Sequence, residues 1–127
     1  MPNRDRAALL DIAHAIGLVQ QFKRGLSVAD FLEDARTQSA VLHQLLAVVP
    51  YRHKGVVGEA VKRLSDSFRR DHPEIPWRLI AGMRDLLIHH YDTVDLEEVW
   101  RVADRDMPDV AQQVQSIIRG EAFGERD

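Results

Sequence analysis

Between Trp77 and Tyr91 the chain reads WRLIAGMRDLLIHHY, which sets Arg84, Asp85, His89, His90 and Tyr91 among apolar residues within two helical turns. An imidazole titrates near neutral pH and moves protons, and a guanidinium stays charged and matches planar anions with its fork of donors. A helix made only for packing would not carry this set, because burying such groups costs several kcal/mol unless they find partners. Proton transfer beside a held negative charge is the chemistry these types can do together.

Read as a helix at about 100° per residue, Trp77, Ile80, Ala81, Arg84, Leu87, Ile88 and Tyr91 form one stripe. Gly82, Asp85 and His89 lie on the neighbouring stripe, and Asp85 precedes His89 by the four positions at which helical side chains touch. A carboxylate there would fix one ring tautomer of His89 and favour the imidazolium. Alternatively Asp85 pairs with Arg84 and partly neutralises it. Arg84 and His89 are five apart, so an ideal helix separates them unless the long Arg side chain or a frayed end after Ile88 brings them together.

Arg84, four residues, His89, one residue and Tyr91 resembles the signature of the HepT-like toxins of the HEPN superfamily. GEAVKRL at 58–64, PEIPW at 73–77, IAGMR at 80–84 and VDLEEVW at 94–100 are similar to that family's blocks in the same order, so the resemblance covers most of the chain. It implies an all-α fold, a HEPN-type antiparallel bundle of about five to six helices. It implies a metal-independent endoribonuclease toxin in which Arg84 and His89 are catalytic, with no cofactor. RNA supplies its own nucleophile, the 2′-hydroxyl, so cleavage needs a group to move protons, which His89 can be, and a cation on the phosphate, which Arg84 can be. Asp85 and Tyr91 would support them, Tyr91 through its hydroxyl on phosphate or ribose. The products would end in a 2′,3′-cyclic phosphate.

The resemblance also implies a regulator, a minimal nucleotidyltransferase antitoxin that silences the toxin by transferring AMP to Tyr91, and a homodimer whose interface forms the cleft. The chain departs from the family pattern at Asp85, where many relatives have Asn, at His90, which has no clear role, and in extra residues around 49–57. Two other readings stay open. One is a non-catalytic HEPN module, a nucleotide-binding or regulatory partner of a nucleotidyltransferase with Tyr91 only a modification site. The other is a satisfied polar network that specifies the dimer.

The elements that must position these residues follow from composition and periodicity. The 127 residues suit one domain, taken as 1–120 with a disordered tail at 121–127. There is no cysteine, which excludes disulfides and thiolate metal sites. No run approaches a membrane span, and an amphipathic helix follows the first residues directly, so a cytoplasmic protein is expected. No zinc motif, Gly-rich phosphate loop or repeat is present.

A net charge of −3 argues against a generic nucleic-acid coat. Its distribution is uneven: residues 51–84 hold eight bases against four acids, and residues 92–109 hold seven acids against two bases. These are either two solvated helix faces or a basic rim for RNA phosphates around the Arg84 helix, with an acidic segment held apart or facing a basic partner. Arg52, Lys54 and Arg78 are the candidate RNA contacts. Arg52 and Lys54 sit in the stretch 50–55, which is either a substrate loop or an ordinary connection.

A first helix over 4–23 buries Leu9, Ile12, Ile16, Val19 and Phe22 or Lys23 and stops at Gly25. Ser27 and Asp30 cap a short helix that runs to Asp34. Thr37 starts a third, with Val41, Leu42, Leu45, Leu46, Val48 and Val49 inward. Pro50 ends it. A helix resumes over 58–70, Pro76 opens the motif helix that runs to Tyr91, and the stretch Asp92-Thr93-Val94-Asp95 offers a cap for 96–104. Pro108 opens a last helix that ends at Gly120. His14 and His43 are lone histidines read as structural or surface residues.

Overall fold

The computed structural model describes residues 3–48, 64–77, 80, 88–89 and 93–124, with the backbone alone at 46–48, 88–89 and 121–124. The fold is all-α, a bundle as expected, organised around its first helix. That helix, α1 (Asn3–Lys23), buries Ala8, Leu9, Ile12, Ala15, Ile16 and Val19 along one i, i+3, i+4 stripe. It packs against both α3 (Ala35–Val48) and the C-terminal helix. Each fully buried Leu, Ile or Val contributes about 1.5–3 kcal/mol. Gly25 ends the helix as predicted, at φ +78°, which only glycine adopts without strain. Of the two candidates at the end of the stripe, Lys23 turns inward, its ammonium 4.9 Å from the Trp100 ring centroid and 3.0 Å from Asp104, while Phe22 is exposed.

Ser27 caps α2 (Val28–Glu33) in a complete capping box: Asp30 N–H donates to Ser27 Oγ, and Ser27 N–H to the Asp30 carboxylate, both at 3.1 Å. Asp34 then does double duty. It ends α2, and its carboxylate caps α3 by accepting from Thr37 N–H at 3.2 Å and Thr37 Oγ1–H at 2.7 Å. The third helix therefore starts at Ala35, and Thr37 is its third residue rather than its first. Val41 and Leu45 are buried and Leu42 packs partly against them. The side chains of Leu46 and Val48, all of Val49, and the 50–57 segment lie outside the described residues.

The helix expected over 58–70 is interrupted where it is described. Leu64 bends and Ser65 is extended (φ −69°, ψ 155°), so that α4 runs only over Asp66–Asp71. The cause is Asp5, which is fully buried on α1. Its carboxylate accepts Ser65 N–H at 2.8 Å and Ser65 Oγ–H at 2.9 Å, which satisfies the charge and pins Ser65 out of helical geometry. The same hydroxyl oxygen accepts Phe68 N–H and caps α4.

Two further boundaries differ from the expectation. Asp95 caps Leu96 as predicted, but α5 (Leu96–Arg101) does not stop before Pro108. It passes through a π-helical turn (Val102–Asp106) straight into α6 (Met107–Gly124). Met107 N–H donates to Val102 O, five residues back. A proline cannot donate and its ring clashes with the carbonyl four residues earlier, so the wide turn lets the helix pass Pro108. Ala103 O, left without its usual helical donor, takes Gln20 Nε2–H from α1 at 2.9 Å. At the other end, α6 continues past Gly120 to Gly124, because Gly120 keeps a helical φ and does not act as a cap. Residues 125–127 lie outside the described residues.

Ile75, Ile80, Val99, Val102, Ala103, Met107, Val110 and Val114 join α1 in one core. No helix among the described residues is long and apolar enough to cross a membrane.

Candidate active site

The motif segment is held at both ends. At its entrance, Pro76 O accepts Ile80 N–H at 3.1 Å, the first helical turn that Pro76 opens. Trp77 Nε1–H is shared between Arg69 O at 3.1 Å, near the end of α4, and His72 O at 3.0 Å, which also accepts Ile75 N–H at 3.3 Å. Phe68 stands edge-on to Trp77 at 6.3 Å and lies 4.4 Å from the His72 ring. His72 Nδ1 meets Glu74 at 3.1 Å, and Gln113 Nε2–H on α6 donates to Glu74 O at 2.7 Å. Ile75 and Ile80 are buried. The start of the motif helix is thus tied to α4 on one side and α6 on the other.

At the exit the backbone is not helical. Ile88–His89 (β1) pairs antiparallel with Thr93–Val94 (β2), with Ile88 opposite Val94 and His89 opposite Thr93. This corrects the expectation of one helix through Tyr91. Ile88, Thr93 and Val94 are β-branched and fit a pleated surface better than a helix. His89 is in extended backbone, so helical i, i+4 spacing does not set it against Asp85. Asp95, next after β2, returns the chain to helix by accepting Glu98 N–H at 3.2 Å.

Of the predicted site residues, His89 is described by its backbone alone, and Arg52, Lys54, Arg78, Arg84, Asp85 and Tyr91 lie outside the described residues. His14 and His43 are exposed. Among the described residues no group of three or more His, Asp or Glu could hold a metal ion.

Electrostatics around this frame is mostly local. Hydrogen bonds from the Thr37 side chain and backbone hold the Asp34 carboxyl below the usual carboxylate range. Arg101 is held firmly charged by its hydrogen bonds to Glu98, with Asp106 adding to them, and so cancels part of the acidic run at 92–109.

Two cavities flank the motif's ends. One of about 420 Å³ lies between the 72–74 loop and α6, lined by His72, Glu74, Gln112, Gln113, Ser116 and Ile117. The other, about 220 Å³, lies where α3 meets β2 and the start of α5, lined by Gln38, Ser39, Leu42, Val94 and Leu96. Sequence reasoning missed the second, since its walls are more than fifty positions apart and carry no spacing signal.

A family model described as ribonuclease HepT-like matches residues 12–117. A probable ribonuclease HepT of Thermococcus cleftensis is 40% identical over 109 residues, covering 86% of this chain and 91% of that one. A protein of Methanocaldococcus jannaschii, named as a candidate RNase, is 34% identical over 120 residues, 94% of this chain and 92% of its own. A similarly named protein of Caldanaerobacter subterraneus is 36% identical over 104 residues, 82% and 84% of the two chains. No solved structure matches the chain.

Proposed function

Because the chain belongs to the ribonuclease HepT-like family over residues 12–117, we propose that it is the toxin of a toxin–antitoxin pair and a metal-independent endoribonuclease. The observation that carries this reading is the family match over 12–117, a range that includes Arg84, His89 and Tyr91. His89 takes the proton from the ribose 2′-hydroxyl, and the 2′-oxygen attacks the adjacent phosphorus. The bond to the 5′-oxygen breaks, that oxygen takes up a proton, and the products are a 2′,3′-cyclic phosphate and a 5′-hydroxyl. Arg84 holds the phosphate oxygens as negative charge builds on them. Asp85 supports the pair, and Arg52, Lys54 and Arg78 guide the RNA backbone.

The ladder at His89 supports this reading. On a straight helix Arg84 and His89 would point apart, and an extended backbone at His89 removes that obstacle. A homodimer completes the cleft. Silencing is by a nucleotidyltransferase antitoxin, which moves AMP from ATP onto the Tyr91 oxygen with release of pyrophosphate. The anionic adduct fills the cleft and repels RNA. The protein acts in the cytoplasm.

Expression in a bacterial host tests the reading as a whole. Growth should stop with the wild type and continue with His89→Ala of equal abundance and unchanged dimer. Equal toxicity of the two proteins would remove His89 from the mechanism, and a non-toxic wild type with unmodified Tyr91 would favour the non-catalytic module.

A further inference from the structure

The cavity at the junction of α3, β2 and α5 adjoins the paired strands that carry His89. Val94, one of its walls, is opposite Ile88 on the ladder, and the next rung is His89 with Thr93. Rungs are about 3.4 Å apart along a strand, and directly opposed residues are about 4.5–5.5 Å apart. The wall of the cavity thus begins one rung from the histidine backbone, within the reach of a single nucleotide.

Size and chemistry narrow the occupant. About 220 Å³ is less than the roughly 300–1,000 Å³ of sites that take drug-sized ligands. Leu42, Val94 and Leu96 are half-buried, continuous with the core, and offer flat apolar contact. Gln38 donates one Nε2–H to Phe31 O at 2.9 Å, which fixes its amide and leaves Oε1 as an acceptor and the second N–H as a donor. The Ser39 hydroxyl is exposed and can donate or accept. None of the described residues lining the cavity is charged, and these walls suit an uncharged planar ring with polar edges better than a phosphate. The larger cavity against α6 carries the Glu74 carboxylate, which would repel a polyanion.

We propose that this pocket takes one unpaired nucleobase of the RNA beside the scissile phosphate, its faces against Leu42, Val94 and Leu96 and its edge on Gln38 Oε1 and Ser39 Oγ. Gln38 and Ser39 are then specificity-determining residues, since splayed single-stranded bases are read by contact with their faces and by hydrogen bonds to their edges. This rests on the ribonuclease reading for its choice of ligand.

The test is binding of a short, fully 2′-O-methylated RNA in which one base at a time is removed, measured with wild type, Ser39→Ala and Ser39→Phe. In the wild type, loss of one base should weaken binding about tenfold, the scale of a lost base contact of about 1–3 kcal/mol. Ser39→Phe, which fills the pocket, should bind intact RNA about as poorly as the wild type binds that abasic RNA, with less than about a twofold further effect of the gap. Ser39→Ala, which removes only a hydroxyl on the exposed side of α3, should lower the effect to about threefold, as for one lost hydrogen bond. An abasic series with no sensitive position, the same sensitivity in all three proteins, or dissociation of the oligomer by Ser39→Phe would overturn the proposal. Unmodified RNA run in parallel separates the two claims: cleavage without a sensitive base sinks the pocket alone, and a sensitive base without cleavage sinks the ribonuclease reading alone.

Discussion

His89 lies opposite Thr93 across a two-residue antiparallel ladder, so the histidine of the motif is presented from extended backbone rather than from the helix that precedes it. The ladder is small and, on this account, positions the imidazole. Thr93→Pro, which locks φ near −65° and removes an N–H, should lower RNA cleavage about a hundredfold, the cost of a small misplacement of a catalytic group. The melting temperature should move little, because Thr93 is exposed and lies outside the buried core. Circular dichroism and initial cleavage rates measure the two effects separately.

Asp5 and Ser65 are sixty positions apart and hold α1 to the start of α4. Asp5→Ala leaves the Ser65 amide and hydroxyl without that acceptor in a buried place, which should destabilise the fold by about 1–3 kcal/mol. Ser65→Ala loses the cap as well as the Oγ bond and should cost about 1–2 kcal/mol. The double variant should cost less than the sum, since both remove one interaction. Urea midpoints check all three.

Gln20 holds the Ala103 carbonyl that the π-helical turn leaves open. Gln20→Ala should cost about 1–3 kcal/mol by stranding that carbonyl. In a Pro108→Ala background the cost should shrink, because alanine restores a backbone N–H that lets the helix close normally. An undiminished cost in that background would show that Gln20 acts independently of the turn.

The Asp34 carboxyl titrates below its ordinary value because Thr37 donates to its ionised form. A depressed folded-state pKa contributes stability above the unfolded value, near about 3.9, and that contribution fades as the pH falls through the folded pKa. Asp34→Asn keeps a capping oxygen but no charge. Its stability should therefore lose part of the acid-side decline shown by the wild type below about pH 4, as read from thermal melts across pH.

Local signals were legible in the sequence: the Gly25 stop, the Ser27 box, the Asp95 cap and the buried stripe of α1 all depend on residues within a few positions of one another. The differences come from distant partners. Ser65 reads as mid-helix until Asp5 takes its amide, and Pro108 reads as a helix start until Gln20 and the wide turn carry the chain past it. Helical periodicity ran on through His89 because the apolar spacing of Leu87 and Ile88 fits both conformations, and only pairing with Thr93 and Val94 decides between them. At the site, the motif spacing and family blocks were readable, whereas the walls of the α3–β2 pocket come from stretches with no common signature.

The most direct measurement is cleavage of a defined RNA by purified protein in EDTA, comparing wild type, Arg84→Ala and His89→Ala, with mass analysis of both product ends and of Tyr91. The wild type should give 2′,3′-cyclic phosphate and 5′-hydroxyl ends, with each variant slowed at least about a hundredfold. Undiminished cleavage by either variant, or none by a wild-type dimer whose Tyr91 is unmodified, would contradict this mechanism.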